Sequence, residues 1–400
     1  MSGPMASTSR TRALCALAAL PALVLACSPA PDTSSAPTAI SEAPVTKAAT
    51  VVPQAPAPSV PAAPACGAPQ AMLAAMSTRD KLAQLLMVGV TGAADGRAVV
   101  ESQHVGGIMI GSWTDLSIMG DQLRDIAGAA SPLPLAVSVD EEGGRVSRLA
   151  SIIGPQPSPR VLAQTNTPEQ VRDIAFRRGQ QMRALGVTID FAPVVDVTAA
   201  HDGVIGDRSF GPDPNVVTDY AGAYARGLRD AGVLPVLKHF PGHGSGSGDT
   251  HTGSATTPAI AELQKTDLVP YRTLTTQAPV GVMVGHIEVP GLTGSDPASL
   301  SPAAYGLLRS GNYGGPPFNG PVFTDDLSSM AAISDRFGVA EAALRALQAG
   351  ADVALWVTTG EVPAVLDRLE KAVSAGELSM SNVDASVLRL SGMKGPNPRC

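Results

Sequence analysis

The sequence lacks any run of basic residues. Its 28 lysines and arginines are outnumbered by 35 aspartates and glutamates, which gives a formal net charge of −7 and a pI near 5.4. Proteins that bind nucleic acids need basic surfaces to neutralise phosphates, so we expect no nucleic-acid partner. The N-terminus also lacks a long apolar segment. Its apolar run covers only residues 13–26, which is too short to cross a bilayer as a stable helix.

That short apolar run has the features of an export signal. Arg10 and Arg12 precede it, and it closes with the letters LVLAC at Cys27. A basic start and a short apolar stretch are typical of a signal peptide, which is removed from the mature protein. A small residue directly before a cysteine resembles the bacterial lipobox. We therefore predict a signal peptide over residues 1–26 and lipidation of Cys27, which would hold the exported protein on the outer face of the cell membrane. An ordinary signal peptide, with Cys27 incidental, is the alternative.

Residues 27–66 contain mostly Ala, Pro, Ser, Thr and Val, with few charges and no aromatic residue. Such a composition buries too little apolar surface to fold and predicts an extended tether. We expect one folded domain over residues 67–400, a length that α/β barrels often reach as a single unit.

Cysteine is scarce, with only four in the chain. Cys15 leaves with the signal peptide and Cys27 carries the lipid, so Cys66 and Cys400 remain at the two ends of the folded domain. In an oxidising exterior they are expected to form a disulfide that joins the termini. Two free thiols are the alternative.

Short apolar runs rich in Val, Ile and Leu recur through the folded domain, separated by segments with helical apolar spacing. Continuous apolar runs indicate strands that are buried on both faces, as in a parallel sheet covered by helices. Eight such runs predict a single (β/α)8 barrel, with a doubly wound sheet as the alternative. The predicted strands are residues 85–90, 107–110, 135–139, 187–195, 234–237, 280–284, 322–323 and 353–357, and the predicted helices are residues 168–185, 219–231, 260–275, 339–349 and 362–375.

Polar residues follow several of these strands directly. Barrel enzymes build their active sites at the C-terminal ends of the strands, so this placement favours the barrel and predicts that the residues converge there. They are Asp140, Asp196, Lys238, His239, His286 and Asp325.

The densest group of candidate residues is a glycine-rich stretch at residues 237–253, which includes Lys238, His239, His243, Asp249 and His251. The histidines and Asp249 could bind zinc, but a Pro-Gly pair between His239 and His243 argues against the helical spacing of metalloproteases. No Gly-x-Ser-x-Gly motif follows a strand, which argues against a Ser–His–Asp hydrolase. We therefore expect neither a metal ion nor another cofactor.

Two adjacent carboxylates, Asp325 and Asp326, end the seventh predicted strand. Neighbouring residues on a strand point to opposite sides, so only one of them should face the barrel mouth. A carboxylate there could attack a carbon electrophile or accept a proton. We predict this role for Asp325, and loop support or helix capping for Asp326.

Two further clusters suit a ligand with many hydroxyl groups. Residues 140–148 read DEEGGRVSR, and residues 206–211 read GDRSFG. Carboxylates at a strand end, without a basic run, suit a polyol better than a phosphate. In the second cluster, Arg208 could place its guanidinium against the same ligand.

Together these motifs resemble a known family. The letters KHFPGHG at residues 238–244, followed by DTH at residues 249–251, are similar to the signature of the NagZ-like β-N-acetylglucosaminidases of glycoside hydrolase family 3. DEEGGRV at residues 140–146, GDRSFG at residues 206–211, His286, and TDDL at residues 324–327 match other family segments in the same order. The resemblance covers residues 75–395.

The resemblance implies a (β/α)8 enzyme that removes N-acetylglucosamine from peptidoglycan fragments with retention of configuration. Asp325 matches the family nucleophile, and His251 with Asp249 matches the acid/base dyad. Histidine can donate a proton and later accept one near neutral pH. Five further residues match sugar-binding positions, namely Asp140, Arg148, Arg208, Lys238 and His239.

Three alternatives use the same barrel. One is a lipoprotein that binds wall sugars without cleaving them, and another is a metal-dependent hydrolase. The third is a β-glucosidase-type enzyme, whose second domain supplies a carboxylate acid and has no room in this chain. We expect the protein to be a monomer that binds a glycan and contacts the membrane only through its lipid.

Overall fold

The structure, a computed structural model, describes residues 69–277 and 279–394. The predicted signal peptide and the tether lie outside these ranges. So do the lipidation site Cys27 and the expected pair Cys66 and Cys400. These features therefore stay predictions.

Eight parallel strands form a barrel, as the sequence predicts. The first seven strands pair in chain order, and the eighth pairs with the first. Between the seventh and eighth strands, a bridge joins Phe323 to Val353, and the amide of Thr324 donates to the carbonyl of Val353 over 3.0 Å. The strands are β1 Leu86–Gly89, β2 Gly107–Ile110, β3 Ala136–Val139, β4 Ile189–Asp190, β5 Leu234–Phe240, β6 Gly281–Val284, β7 Val322–Thr324 and β8 Ala354–Trp356.

Helices surround the strands and cover their outer faces. None of them, within the part of the chain described, is both long and apolar enough to cross a membrane. The α-helices are α1 Pro69–Ala75, α2 Thr78–Ala83, α3 Ala93–Gln103, α4 Asp121–Ala129, α5 Ala150–Ile153, α6 Pro159–Thr165, α7 Pro168–Ala184, α8 Pro214–Asp230, α9 Ile260–Leu263, α10 Leu268–Leu274, α11 Pro302–Ser310, α12 Ala331–Ser334, α13 Val339–Ala349, α14 Val362–Ser374 and α15 Met380–Lys394. Short 3-10 turns occur at Leu116–Ile118, Gly206–Arg208 and Ala298–Leu300, and a two-stranded hairpin follows β3 at Glu141–Gly143 and Val146–Ser147.

The strands are short, apolar and almost completely buried, which explains why they read as continuous apolar runs. Inside the barrel the rings of Phe191 and Phe323 meet edge to face, with their centroids 5.6 Å apart. This packing fills the interior, so the space for a ligand lies at the ends of the strands and in the loops that follow them.

Four predicted elements differ from the structure. Strand β5 runs to Phe240 instead of ending at residue 237. Helix α8 begins at Pro214 rather than residue 219, because Asp213 caps it by accepting from the amide of Asn215 over 2.8 Å. The predicted helix over residues 260–275 is two helices, α9 and α10. Pro270 has no N–H to donate to the carbonyl four residues earlier, so one continuous helix cannot form.

The predicted strand over residues 187–195 is regular only at β4. Pro193 has no N–H for the ladder, and pairing resumes as a single bridge between Val194 and Lys238. The chain nevertheless stays beside β5 as far as Val195, whose amide donates to the carbonyl of Lys238 over 2.8 Å.

Candidate active site

A cavity of about 620 Å³ lies at the C-terminal ends of β3, β5 and β7 and is bounded by the loops that follow them. The eight residues predicted for catalysis or sugar binding all line it, although they come from positions up to 185 residues apart. They are Asp140, Arg148, Arg208, Lys238, His239, Asp249, His251 and Asp325. The barrel brings these separate motifs together in one site.

One wall of the cavity is a network of buried ions. Lys238 lies at the end of β5, and its Nζ is 2.6 Å from Asp140 Oδ1 and 2.6 Å from Glu142 Oε1. Arg208 donates two parallel hydrogen bonds of 2.8 Å to the Glu142 carboxylate. Two cations and two carboxylates therefore hold one another in fixed positions, where they can donate to and accept from sugar hydroxyls.

The ion pairs in this wall keep its charges in place. Burial alone raises the pKa of Glu142, but the cations of Arg208 and Lys238 lower that pKa far below its usual range. Burial alone lowers the pKa of Lys238, whereas Asp140 and Glu142 raise it above its usual value. Both partners are therefore ionised near neutral pH.

The three carboxylates of residues 140–142 have different surroundings. The carboxylate of Glu141 does not line the cavity; it accepts from the amide of Leu149 over 2.8 Å and pairs with the buried Arg178. It therefore supports the hairpin. The sequence did not single out Glu142, although its position two residues after Asp140, on the same side of an extended chain, was a usable signal.

Asp325 follows β7 directly and lines the cavity. Its Oδ1 accepts from the amide of Asp326 over 2.9 Å. Burial alone raises the pKa of Asp325, but His286, His239, the Asp326 amide and Lys238 lower it to about 2. The carboxylate is therefore an anion over the whole physiological range.

Asp326 points into the loop after β7 and not into the cavity. Its Oδ1 accepts from the amide and the hydroxyl of Ser328, each over 2.8 Å, and its Oδ2 accepts from the amide of Ser329 over 3.1 Å. These bonds fit the predicted loop-supporting role. Beneath this loop, His286 contacts Ser299 Oγ and the carbonyl oxygen of Asp326, each over 2.6 Å, so both of its ring nitrogens are used.

The glycine-rich arm, residues 244–256, carries His251 and Asp249. His251 Nδ1 lies 2.7 Å from Asp249 Oδ1, and the same oxygen accepts from the His251 amide over 2.9 Å. Partial burial acts to raise the pKa of Asp249, but the bonds from His251 lower it below its usual value. A carboxylate on Nδ1 sets the tautomer and leaves Nε2 for a ligand.

The arm is closed at its base and supported near its tip. Ser247 and Thr256 exchange two backbone hydrogen bonds of 2.8 and 3.0 Å. Near the tip, the amide of Ala332 donates to the carbonyl of Thr250 over 3.1 Å. Helix α12 therefore holds the part of the arm that carries the imidazole.

A second imidazole and carboxylate lie deeper in the site. His239 Nδ1 is 2.7 Å from Asp196 Oδ2, while Asp196 Oδ1 accepts from the amide of His243 over 2.7 Å. Asp196 was noted in the sequence only as a polar residue after a strand. The structure shows that it holds both His239 and the start of the glycine-rich stretch.

We expected His243 to support the glycine-rich loop, but it also lines the cavity. Burial lowers the pKa of its imidazole, which is therefore neutral near pH 7. Within residues 69–277 and 279–394, no group of three or more His, Cys, Asp or Glu side chains is placed to hold one metal ion.

This arrangement suits acid/base chemistry at a carbon–oxygen bond. An anionic carboxylate, Asp325, and a carboxylate-supported imidazole, His251, line the same cavity. Between them lies a polar wall that can hold hydroxyl groups. One group can attack an electrophilic carbon while the other protonates the oxygen that leaves.

Comparisons with known proteins agree with this chemistry. The model described as the glycosyl hydrolase family 3 N terminal domain matches residues 77–393. The β-hexosaminidase LpqI of Mycobacterium tuberculosis is 66% identical over 392 residues, which cover 97% of this chain and 98% of that protein. The crystal structure of a family 3 glycosyl hydrolase from Mycobacterium smegmatis has a TM-score of 0.81 and 73% identity, covering 81% of this chain and 99% of that one. A family 3 β-N-acetylglucosaminidase from Paenibacillus has a TM-score of 0.73 and 34% identity, covering 80% of this chain and 62% of that one. This chain therefore belongs to glycosyl hydrolase family 3 and is a glycoside hydrolase of the β-hexosaminidase type.

Proposed function

We propose that the protein is a retaining exo-β-N-acetylglucosaminidase that releases N-acetylglucosamine from peptidoglycan fragments. The observation that carries the proposal is that an ionised carboxylate, Asp325, and the His251–Asp249 pair line one cavity. Retention requires a nucleophile and a proton donor at the same glycosidic bond. The relative from Paenibacillus bears the name of this activity, which supports the choice of sugar.

The polar wall holds the N-acetylglucosamine whose anomeric carbon is attacked. Asp140 and Glu142 can accept from its hydroxyls, while Lys238 and Arg208 can donate to them. Arg148 adds a further donor, because its Nε is buried and has no hydrogen-bond partner among the described residues. Since these groups are fixed by one another before the ligand arrives, little ordering is needed on binding.

In the first step an oxygen of Asp325 attacks the anomeric carbon as the bond to the leaving oxygen breaks. The amide of Asp326 holds Oδ1 and thereby orients the other oxygen, Oδ2. The imidazolium of His251 gives its Nε2 proton to the leaving oxygen. Asp249 stabilises the imidazolium before this transfer, because its carboxylate is ionised and bound to Nδ1.

In the second step water attacks the anomeric carbon and the bond to Asp325 breaks. The neutral His251 Nε2 accepts the proton of the attacking water, which restores the imidazolium. A carboxyl with a pKa of about 2 is a good leaving group, so the low pKa of Asp325 assists this step. Two displacements at one carbon restore the original configuration.

The experiment is hydrolysis of a chromogenic β-N-acetylglucosaminide by the purified protein, with and without EDTA. We expect turnover that the chelator leaves unchanged, with the β-anomer as the first product seen by proton NMR. If the α-anomer appeared first, the double-displacement mechanism would be wrong. Loss of activity in EDTA, restored by a metal ion, would instead support the metal-dependent alternative.

We also propose that the protein acts outside the cell, anchored by a lipid on Cys27. The support is the sequence of residues 1–27 alone. A Cys27→Ala variant should leave the membrane fraction and appear in the soluble exported fraction. Equal membrane association of the parent and the variant would contradict the anchor. For Cys66 and Cys400, an increase of two hydrogens in intact mass on reduction would demonstrate the disulfide.

A further inference from the structure

The two tryptophans of this chain have opposite surroundings. Trp356 lies in β8 and is completely buried, whereas Trp113 follows β2 and is 42% exposed. Large apolar side chains with such exposure are rare here. Within the described residues the others are Ile152 and Val161, on α5 and α6. An exposed tryptophan on the catalytic side of a barrel therefore needs an explanation.

The indole of Trp113 lies flat on a glycine. A Cβ added to Gly111 would come almost equally close to Cζ2, Cη2 and Cζ3 of the ring, so Gly111 lies under the ring face and not at its edge. A Cβ at Gly89 would lie 2.7 Å from Cζ2 of the same ring. Backbone therefore supports one face of the indole, and 42% of the residue remains exposed to solvent.

The turn that carries Trp113 is held from both sides. The hydroxyl of Thr114 donates to the carbonyl of Val90 over 2.6 Å and accepts from the amide of Gly111 over 3.0 Å. The amide of Asp115 donates to the carbonyl of Thr91 over 2.9 Å. The ring is therefore presented in one orientation, which reduces the ordering cost of any ligand that stacks on it.

Strand register places this ring beside the catalytic cavity. Ile110 of β2 pairs with Val139 of β3, so Gly111 and Asp140 are the next residues on adjacent strands. Adjacent strands are about 4.8 Å apart. Gly111, which lies under the indole, is thus one strand away from Asp140, and Asp140 lines the cavity. Trp113 itself does not line the cavity.

The loop after β7 approaches the same point. A Cβ at Gly89 would lie 2.7 Å from the Cα of Val357, next to the indole. The amide of Val357 donates to Ser328 Oγ over 3.2 Å, and Ser328 belongs to the loop that begins at Asp325. The indole therefore borders the site between Asp140 and the nucleophile loop.

We propose that Trp113 forms an aromatic platform for the sugar ring on the leaving-group side of the glycosidic bond. The proposal rests on the proposed glycosidase function and adds a second sugar to the substrate. A pyranose has an apolar face of C–H groups that packs well on the electron-rich face of an indole. Because Trp113 lies outside the lined cavity, the ring that stacks on it must be the neighbour of the sugar held inside.

Polar groups around the platform favour a sugar over a lipid or an apolar peptide. Ser112 and Asp115 flank the indole in sequence and are exposed, so hydroxyl partners surround a single aromatic face. A lipid surface would require several exposed apolar side chains in this turn, and Trp113 is the only large one in residues 111–120.

The kinetic test compares two substrates in four proteins. One substrate is an aryl β-N-acetylglucosaminide, with one sugar, and the other is chitotriose, a β-1,4 trimer of N-acetylglucosamine. We expect Trp113→Ala to lower kcat/KM for chitotriose about tenfold, or about 1.4 kcal/mol, mainly through KM. Trp113→Phe should retain most of the parent value. Ile152→Ala, which removes an equally exposed apolar side chain from α5, should match the parent on both substrates.

The results separate this proposal from the proposed function. If the parent cleaves neither substrate, the glycosidase function fails. If the parent cleaves both and Trp113→Ala cleaves chitotriose as well as the parent, the platform is wrong. An equal loss on both substrates would place Trp113 at the sugar inside the cavity and would also overturn the proposal.

A binding test does not depend on turnover. In Asp325→Asn, acrylamide quenching of tryptophan fluorescence should report Trp113, since Trp356 is completely buried. We expect chitotriose to lower the quenching constant at least twofold, and N-acetylglucosamine alone to have a much smaller effect. Quenching that chitotriose leaves unchanged would overturn the platform even if every variant were active.

Discussion

Two imidazole–carboxylate pairs in this site have the same geometry and opposite surroundings. In each, the histidine Nδ1 lies 2.7 Å from a carboxylate oxygen. His239 and Asp196 are 8% and 0% exposed, whereas His251 and Asp249 are 58% and 39% exposed. The buried pair belongs to the strand ends, and the exposed pair belongs to the glycine-rich arm. The hydrogen bond alone therefore does not define a role; position and burial do.

This difference in burial suggests that the two pairs have different roles in the cavity. The buried pair is almost closed to solvent, so it suits the fixed wall that is proposed to position a sugar. The exposed pair can reach both the leaving oxygen and water, as the two steps of the proposed mechanism require. The predictions below test this difference in roles, beginning with the largest expected effect.

Removal of the proposed nucleophile, Asp325, should have the largest effect. Asp325→Ala should lower kcat for an aryl glycoside by about 10⁴-fold or more, since no other carboxylate occupies its position. Steady-state hydrolysis measures this. Asp326→Ala is the matched control and should retain activity within about tenfold, because its carboxylate supports the loop through Ser328 and Ser329. If Asp326→Ala lost more activity than Asp325→Ala, the roles of the two carboxylates would have to be exchanged.

Removal of the exposed imidazole should have an effect that depends on the leaving group. His251→Ala should slow hydrolysis of substrates with poor leaving groups by about 10²- to 10³-fold, the typical contribution of general acid catalysis. Activated aryl glycosides need little protonation and should lose much less. A series of aryl glycosides of different phenol pKa measures this dependence. Equal losses across the series would refute the role of His251 as the acid.

The two carboxylates that support the imidazoles should differ in their effect on stability. Asp196→Ala should lower the free energy of unfolding by about 3 kcal/mol, because it leaves buried hydrogen-bond donors of His239 and His243 without an acceptor. Asp249→Ala should change it by less than about 0.5 kcal/mol, as expected for an exposed pair. Urea unfolding of both variants compares them. Similar losses would show that burial does not distinguish the two pairs.

A smaller, pH-dependent effect on stability is expected at Asp267, which lies where the arm joins the strand ends. Asp267 Oδ1 accepts from the amides of Gly244 and Val197, each over 3.1 Å. Burial, and then the charge of Asp196, raise the pKa of Asp267 to about 6. This pKa is above that of Asp267 in the unfolded chain, so between about pH 4 and 6 the folded state keeps a proton that the unfolded state has lost. The protonated acid therefore stabilises the folded state at low pH, and its contribution to the free energy of unfolding is lost as the pH rises through 6.

The measurement is urea unfolding of the parent and Asp267→Asn at pH 5 and pH 7.5. Asparagine mimics the neutral acid and cannot ionise. The parent should therefore lose about 1 kcal/mol more than the variant between these pH values. The same change in both proteins would mean that Asp267 does not titrate in this window.

Much of the barrel could be predicted from the sequence, because its physical signals are local. Eight apolar runs marked all eight strands, and the polar residues after them marked the catalytic end. The errors occurred where a single residue changed the backbone pattern. Pro193 shortened β4, Pro270 divided a predicted helix, and Asp213 with Pro214 started α8 early.

The sequence by itself also determined which side chains could do the chemistry, since each candidate belonged to a short motif at a strand end. It could not determine which of the two glutamates at residues 141–142 faced the cavity, or which histidine was buried. Glu142 and Glu141 are adjacent in the chain, yet one pairs with Lys238 in the cavity and the other with Arg178 behind the hairpin. Only the tertiary structure decided this, because burial and charge pairing depend on residues that are distant in sequence and meet only when the barrel closes.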